Sequence, residues 1–377
     1  MKKKILTVLG TRPEIIRLSC IINKFDKYFN HILVHTNQNF DKELKTIFFK
    51  ELNLRKPDYD LEIRENTNVK FISKALTMVE RIIKKEKPDA FFLLGDTNSS
   101  LTAIVAKKYK IPVFHYEAGN RCFDERVPEE INRRLVDHIS DINLTYSDFA
   151  KQNLIKEGMC HERVIKVGSP LYEVFLENKS KIENNKILKK LKIKSKSYIL
   201  ISYHREENVD NKTNLLNFIN IIQKIQKKLR KTIIISTHPR TRIRLNKINL
   251  EKNSQIKFLK PMSYFEYMKL QKNSYVTISD SGSISEESSI LGFNAITMRN
   301  NFERQEIMEN PSVLLSDCNE KNLLDAIEIS LKSKKNKIHH EYNIQNVSEK
   351  IPMIIISYIP YVRNNIWRMS SNENFNS

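Results

Sequence analysis

Short apolar runs that alternate with stretches of helical periodicity constrain this chain more than any other feature. In the first half the runs fall at 5–9, 31–36, 90–94, 113–116, 142–145 and 164–167; in the second they fall at 198–202, 232–236, 256–259, 275–279 and 295–298. Such alternation specifies an α/β fold with parallel, doubly wound sheets. A length of 377 residues exceeds what one hydrophobic core usually serves, so two Rossmann-like domains facing a cleft are expected. The polar, lysine-rich stretch 171–197 marks the connection. The expected division is an N-terminal domain over 1–171, a C-terminal domain over 172–347, a helix at 348–369 packing back on the first domain, and a disordered tail at 370–377.

A formal charge of +20 invites a nucleic-acid or membrane reading. The lysines, however, lie in scattered runs without the interleaved aromatics of a base-stacking platform, so they read as solvated surface. Cys20, Cys122, Cys160 and Cys318 are far apart with no Cys-x-x-Cys pair, which indicates neither a zinc site nor a disulfide framework. Met1-Lys2-Lys3-Lys4 has the charge of a secretory leader, but the apolar run behind it is too short, and 351–362 is too short to span a bilayer and carries Pro352 and Pro360. A cytoplasmic, soluble protein with neither nucleic acid nor membrane as partner is expected.

Candidate chemistry sits where the runs end. Gly95-Asp96 and Glu117-Ala118-Gly119 follow neighbouring strands separated by 98–110, which reads as one crossover helix, and Pro128-Glu129-Glu130 comes next. In a parallel sheet the ligand crevice lies at the carboxyl ends of the strands, so these acids should share one rim. Gly10-Thr11-Arg12-Pro13-Glu14 opens a helix at whose start a phosphate fits, and Asp280-Ser281-Gly282-Ser283 forms a second anion corner with its amides and helix dipole. Ser283 and Glu286 have capping-box spacing, leaving Glu287 for ribose hydroxyls. His204 and His238 each stand just past a strand, without metal-ligand spacing. No Gly-x-Gly-x-x-Gly and no P-loop occurs, so a bound nicotinamide or flavin dinucleotide is not expected.

Taken together, Gly10-Thr11-Arg12-Pro13-Glu14, Gly95-Asp96-Thr97, Glu117-Ala118-Gly119, Pro128-Glu129-Glu130-Ile131-Asn132-Arg133, His204-Arg205-Glu206-Glu207-Asn208 and Asp280-Ser281-Gly282 resemble, in order and spacing, the non-hydrolysing UDP-N-acetylglucosamine 2-epimerases. The resemblance covers nearly the whole chain. It implies a glycosyltransferase-B-like fold with UDP bound by the second domain, a homodimer, and inversion at C2 of a UDP-linked 2-acetamido sugar without any added cofactor. It further implies catalytic roles for Asp96, Glu117, Glu129 and His204, and a substrate or UDP-binding set of Arg12, Arg17, Arg133, His238, Tyr267, Ser281, Gly282 and Glu287.

Gly119-Asn120-Arg121-Cys122-Phe123-Asp124 and His238-Pro239-Arg240-Thr241-Arg242 look closest to the UDP-N-acetyl-L-fucosamine synthase branch, which acts in capsule and O-antigen assembly. Asn37-Gln38-Asn39-Phe40 replaces the Gln-His motif that contacts an activating second UDP-sugar in bacterial glucosamine enzymes. Ser283 and Gln305 are further departures from the common pattern. The C2 proton of such a sugar is not adjacent to a carbonyl, so the ring must be oxidised or must lose UDP, and without a dinucleotide motif elimination is left. Rival readings are a UDP-N-acetylglucosamine 2-epimerase giving UDP-N-acetylmannosamine, a glycosyltransferase of the same fold, a hydrolysing epimerase and a nucleic-acid binder.

Overall fold

A computed structural model describes residues 2–38, 42–246, 248, 253–299, 303–309, 311–333 and 337–369. Asn39, Phe40 and the tail 370–377 lie outside the described residues. The chain divides into two compact units, Met1–Leu176 with Ile344–Ser377, and Glu177–Asn343. The boundary falls inside the helix Leu171–Glu183.

The first unit holds β1 (Lys4–Leu9), β2 (Asn30–His35), β3 (Tyr59–Asp60), β4 (Ala90–Leu94), β5 (Val113–Tyr116), β6 (Ile142–Thr145) and β7 (Val164–Lys166). They form one parallel sheet in the order β3-β2-β1-β4-β5-β6-β7. Strands buried on both faces must be apolar almost throughout. Leu6, Val8, Phe91, Leu93 and Val113 accordingly pack with Val79, Ile82 and Ile83 of the helix Asn68–Glu86 and with Val136 of the helix Pro128–Ile139. On the other face Phe92 meets Phe25 of the helix Arg12–Tyr28 edge to face, with ring centroids 5.1 Å apart. The helix Val347–Tyr361, followed by a π-helical turn Val362–Ile366, is tied to this unit where Tyr28 donates to Glu349 at 3.0 Å and the Ser348 amide donates to Glu173 at 2.9 Å.

The second unit holds β8 (Tyr198–Ser202), β9 (Thr232–Ser236), β10 (Ile256–Leu259), β11 (Val276–Ser279), β12 (Ala295–Thr297) and β13 (Val313–Leu315), parallel in the order β10-β9-β8-β11-β12-β13. Ile199, Ile201, Ile233, Ile235 and Ile278 form its core with Phe218, Ile222 and Ile225 from the helix Lys212–Leu229. Both sheets reverse their winding after the first strand, between β1 and β4 and between β8 and β11. A ligand crevice opens outside the carboxyl ends of strands at such a switch point.

Two edge strands, β3 and β13, lie outside the apolar runs read from sequence; they span two and three residues, too few to leave a pattern. The segment 98–110 is not one helix. It is a 3₁₀ segment, Asn98–Thr102, followed by a short α-helix, Ala103–Lys108. Hydroxyls compete there with the helical ladder: Thr102 Oγ1 donates to the Ser99 carbonyl at 2.7 Å. Among the described residues no helix is long and apolar enough to cross a membrane.

Candidate active site

In the first unit, the loops after β1, β4 and β5 converge at the switch point. The helix Arg12–Tyr28 starts with Thr11 in extended geometry and a true capping box, in which Glu14 accepts from the Thr11 amide and hydroxyl, each at 2.7 Å. Arg12 is the first helical residue and is half-buried. Glu14 also accepts from the Gly10 amide at 3.0 Å, and Thr97, next to Asp96, donates to it at 3.4 Å. Burial, with a smaller contribution from Asp96, pushes the Glu14 carboxyl up to about 7 against the pull of those hydrogen bonds. Arg17 is buried against Tyr146, its guanidinium 5.5 Å from the ring centroid.

Glu117 reaches over Gly95, the residue before Asp96. A Cβ on Gly95, which has φ +74°, would lie 3.3 Å from a Glu117 carboxylate oxygen, so the missing side chain is where that carboxylate sits. Glu117 itself has φ 72°, a left-handed conformation that costs roughly 1–3 kcal/mol in a non-glycine residue. Its amide donates to the Leu144 carbonyl at 3.0 Å and the next amide does so at 3.2 Å, which holds the strained peptide in place.

Arg133 spans the acids. Its Nε donates to Asp96 at 2.6 Å and its Nη1 to Glu130 at 3.0 Å, while Asn132 donates to the Asp96 carbonyl at 2.9 Å. The pair Glu129-Glu130 splits by environment: Glu129 is exposed in the first turn of Pro128–Ile139, whereas Glu130 is fully buried. Glu130 accepts from the amides of Cys122 at 3.1 Å and Phe123 at 3.2 Å. Burial acts to raise its carboxyl, but the Cys122 amide and thiol and the Arg133 guanidinium hold it below its ordinary value.

In the second unit, His204 follows β8, His238 follows β9 and Asp280 follows β11, which are adjacent strands. The His204 and His238 rings lie 6.0 Å apart. Asp280 is completely buried 2.9 Å from His204 Nδ1 and accepts from the amides of His204 and Arg205, each at 2.9 Å. Burial works against its charge, yet His204 and those amides hold the carboxyl well below the carboxylate range. The Ser281 and Gly282 corner opens the helix Ile284–Leu291, beside Arg299 and Glu303. Two of its three amides are engaged inside the loop: Ser281 donates to Ser279 Oγ at 3.0 Å and Ser283 to Ser281 Oγ at 3.4 Å.

The capping box expected from Ser283 and Glu286 does not form. Ser283 lies at φ −78°, ψ −14°, too helical to present its hydroxyl to the N3 amide, and that hydroxyl donates to Glu287 at 2.8 Å. Glu286 is instead fully buried 3.3 Å from the Arg304 guanidinium. Glu287 also accepts from Gln271 at 2.6 Å, on the helix that carries Tyr267. Burial, reinforced by Glu287, holds the Tyr267 hydroxyl above its ordinary value.

Residue-type spacing places Glu14, Glu130, Asp280 and Arg205 inside motifs without giving them individual roles, and it leaves out Arg299. Arg205 and Arg299 share the Glu303 carboxylate at 2.9 and 2.5 Å, flanking the anion corner with two cations. The available signal was position: Glu14 and Asp280 each belong to a loop at a switch-point strand.

A profile described as UDP-N-acetylglucosamine 2-epimerase matches residues 23–356. A UDP-N-acetylglucosamine 2-epimerase of Methanocaldococcus jannaschii is 41% identical over 342 residues, covering 88% of this chain and 93% of that one. Its crystal structure in complex with UDP-GlcNAc and UDP superposes with a TM-score of 0.89 at 39% identity, covering 94% of this chain and 99% of that one. The structure of UDP-N-acetylglucosamine 2-epimerase from Rickettsia bellii gives 0.90 at 41% identity, covering 98% and 100%. A UDP-2,3-diacetamido-2,3-dideoxy-D-glucuronate 2-epimerase of Pseudomonas aeruginosa is 32% identical over 310 residues, covering 81% and 86%. With two parallel α/β units of glycosyltransferase-B-like class, this chain belongs to the UDP-N-acetylglucosamine 2-epimerase family and is an isomerase, a UDP-sugar 2-epimerase.

Proposed function

We propose that the chain inverts C2 of its UDP-2-acetamido sugar by anti elimination and re-addition of UDP. The observation that carries this reading is the Glu117 carboxylate lying over Gly95, next to Asp96, at the switch point of the first sheet. One carboxylate takes the C2 proton while the C1–O bond breaks, UDP leaves with the bonding electrons, and a C1=C2 double bond forms. A carboxylic acid on the opposite face then protonates C2 as a UDP oxygen re-forms the bond to C1, so atoms and charge balance without an oxidant. Asp96, Glu117 and Glu129 supply these proton transfers, each worth about a hundredfold to ten-thousandfold. Arg12 and His204 stabilise the departing diphosphate, Arg17 and Arg133 hold the acid site, His238, Ser281 and Gly282 bind phosphate, and Tyr267 and Glu287 bind the nucleoside.

For the sugar, UDP-2-acetamido-2,6-dideoxy-L-talose going to UDP-N-acetyl-L-fucosamine is the reading supported by the residues at 119–124 and 238–242. The D-gluco sugar is the second reading, favoured by the names of the Methanocaldococcus and Rickettsia relatives. Homodimeric assembly, a cytoplasmic location and a role in capsule or O-antigen synthesis belong to the same proposal.

The test is incubation with each UDP-sugar separately in deuterated water, following C2 by NMR. Inversion of the L-talo sugar with deuterium at C2 is expected. Inversion of the D-gluco sugar alone moves the assignment to UDP-N-acetylglucosamine, and product without deuterium at C2 removes the elimination mechanism.

A further inference from the structure

Below the acid site lies a buried pair that the reaction scheme leaves unused. His115, on β5, and Asp137, two turns along the helix that begins with Glu129 and Glu130, are 1% and 0% exposed. His115 Nε2 donates to the Gly95 carbonyl at 3.0 Å, since a carbonyl can only accept, and Nδ1 faces the Asp137 carboxylate at 2.9 Å. Asp137 accepts from the Gly119 amide at 3.2 Å and from Arg121 Nη1 at 2.7 Å. Arg121 is fully buried and forks onto Glu157 of the helix Asp148–Lys156 and its cap, at 2.8 and 2.6 Å.

Every segment that carries a candidate acid therefore ends on this pair. Gly95 is next to Asp96, Gly119 follows Glu117 by two residues, and Asp137 shares a helix with Glu129. Gly119 packs against the Ala150 carbonyl, where a Cβ would lie 2.2 Å from the oxygen, so no residue with a side chain fits there without a shift. Asp137 is also ion-paired with the buried Arg121 at 2.7 Å, and removing one partner of a buried ion pair is costly, so the carboxylate is held where His115 and Gly119 meet it.

We propose that His115 and Asp137 are a positioning pair that fixes the spacing of Asp96, Glu117 and Glu129 relative to one another, and thereby which face of the sugar each reaches. The inference rests on the elimination reading for what the acids do. A misplacement of about 1 Å costs on the order of a hundredfold in rate. It also lets the unsaturated sugar depart before its second face is protonated.

The test uses Asp137→Asn, which keeps the size and one acceptor, and His115→Asn, which leaves Asp137 paired with Arg121 and so uncovers no charge. Folding is checked by cooperative thermal unfolding, and kcat, UDP affinity and the ratio of released 2-acetamidoglycal to inverted sugar are measured. Expected in His115→Asn is a loss of about a hundredfold in kcat, a UDP dissociation constant within about threefold of wild type, and a higher share of glycal; Asp137→Asn should follow it. A folded His115→Asn with wild-type kcat and product ratio, or one in which kcat and UDP affinity fall together, overturns the inference. Wild-type product lacking deuterium at C2 would instead sink the elimination reading, leaving the pair to be judged on kcat against UDP affinity.

Discussion

The two sheets share a strand order and a switch point but furnish them oppositely. Past β1, β4 and β5 of the first sheet stand carboxylates, with Arg133 joining Asp96 to Glu130. Past β8, β9, β11 and β12 of the second stand histidines, hydroxyls and the cations Arg205 and Arg299, with the buried acid Asp280 set against His204. Winding decides where a crevice opens, and the residues just beyond each strand decide its chemistry. The first rim suits moving a proton at carbon; the second suits holding an anion.

The largest effect should come from breaking the first rim. Asp96→Asn, Glu117→Gln and Glu129→Gln keep shape while removing proton transfer, and each should lower kcat by about a hundredfold to ten-thousandfold. UDP affinity, measured by calorimetry, should stay within about threefold, the expected outcome if these three acids handle protons and not phosphate. Equal losses of rate and UDP affinity would erase the contrast between the rims.

The second rim is broken at Asp280. Asp280→Asn removes the charge facing His204 at 2.9 Å and should raise the UDP dissociation constant by about tenfold to a hundredfold, the range for charged hydrogen bonds. If UDP affinity stays normal while kcat falls, His204 acts on the chemistry and the contrast sharpens differently. Arg12→Ala, at a helix start on the first rim, should raise the UDP dissociation constant by a smaller factor, about tenfold, while lowering turnover. Unchanged UDP affinity would make Arg12 an ordinary surface residue.

Much of this comparison is readable from residues alone, for a physical reason. Runs such as 90–94 and 198–202 are continuous and apolar because both faces of a parallel strand are covered, and the acid or histidine that ends each run stands out. What spacing hides is environment. Glu129 and Glu130 are neighbours in sequence, yet one is exposed and the other accepts from two loop amides. Ser283 and Glu286 have the spacing of a capping box, but backbone geometry and the buried Arg304 draw them apart. His115 and Asp137 are unremarkable letters until strand and helix bring them to 2.9 Å.

Glu14 should affect turnover least, and its readout is stability against pH. Its carboxyl sits at about 7 in the folded protein and at the ordinary value of 4.5 when unfolded, so the folded state holds the proton more tightly. The unfolded chain releases it first as pH rises. Stability linked to this proton is therefore complete below about pH 4.5, declines as pH rises, and is lost above about pH 7, a total on the order of 3 kcal/mol. Glu14→Gln has no proton to lose and mimics the protonated acid, so the variant should gain on the wild type between pH 5 and pH 8 in denaturant unfolding of the first unit. Parallel pH profiles for the two proteins would mean that the amides of Gly10 and Thr11 keep Glu14 ionised throughout, and that its burial is compensated by those hydrogen bonds.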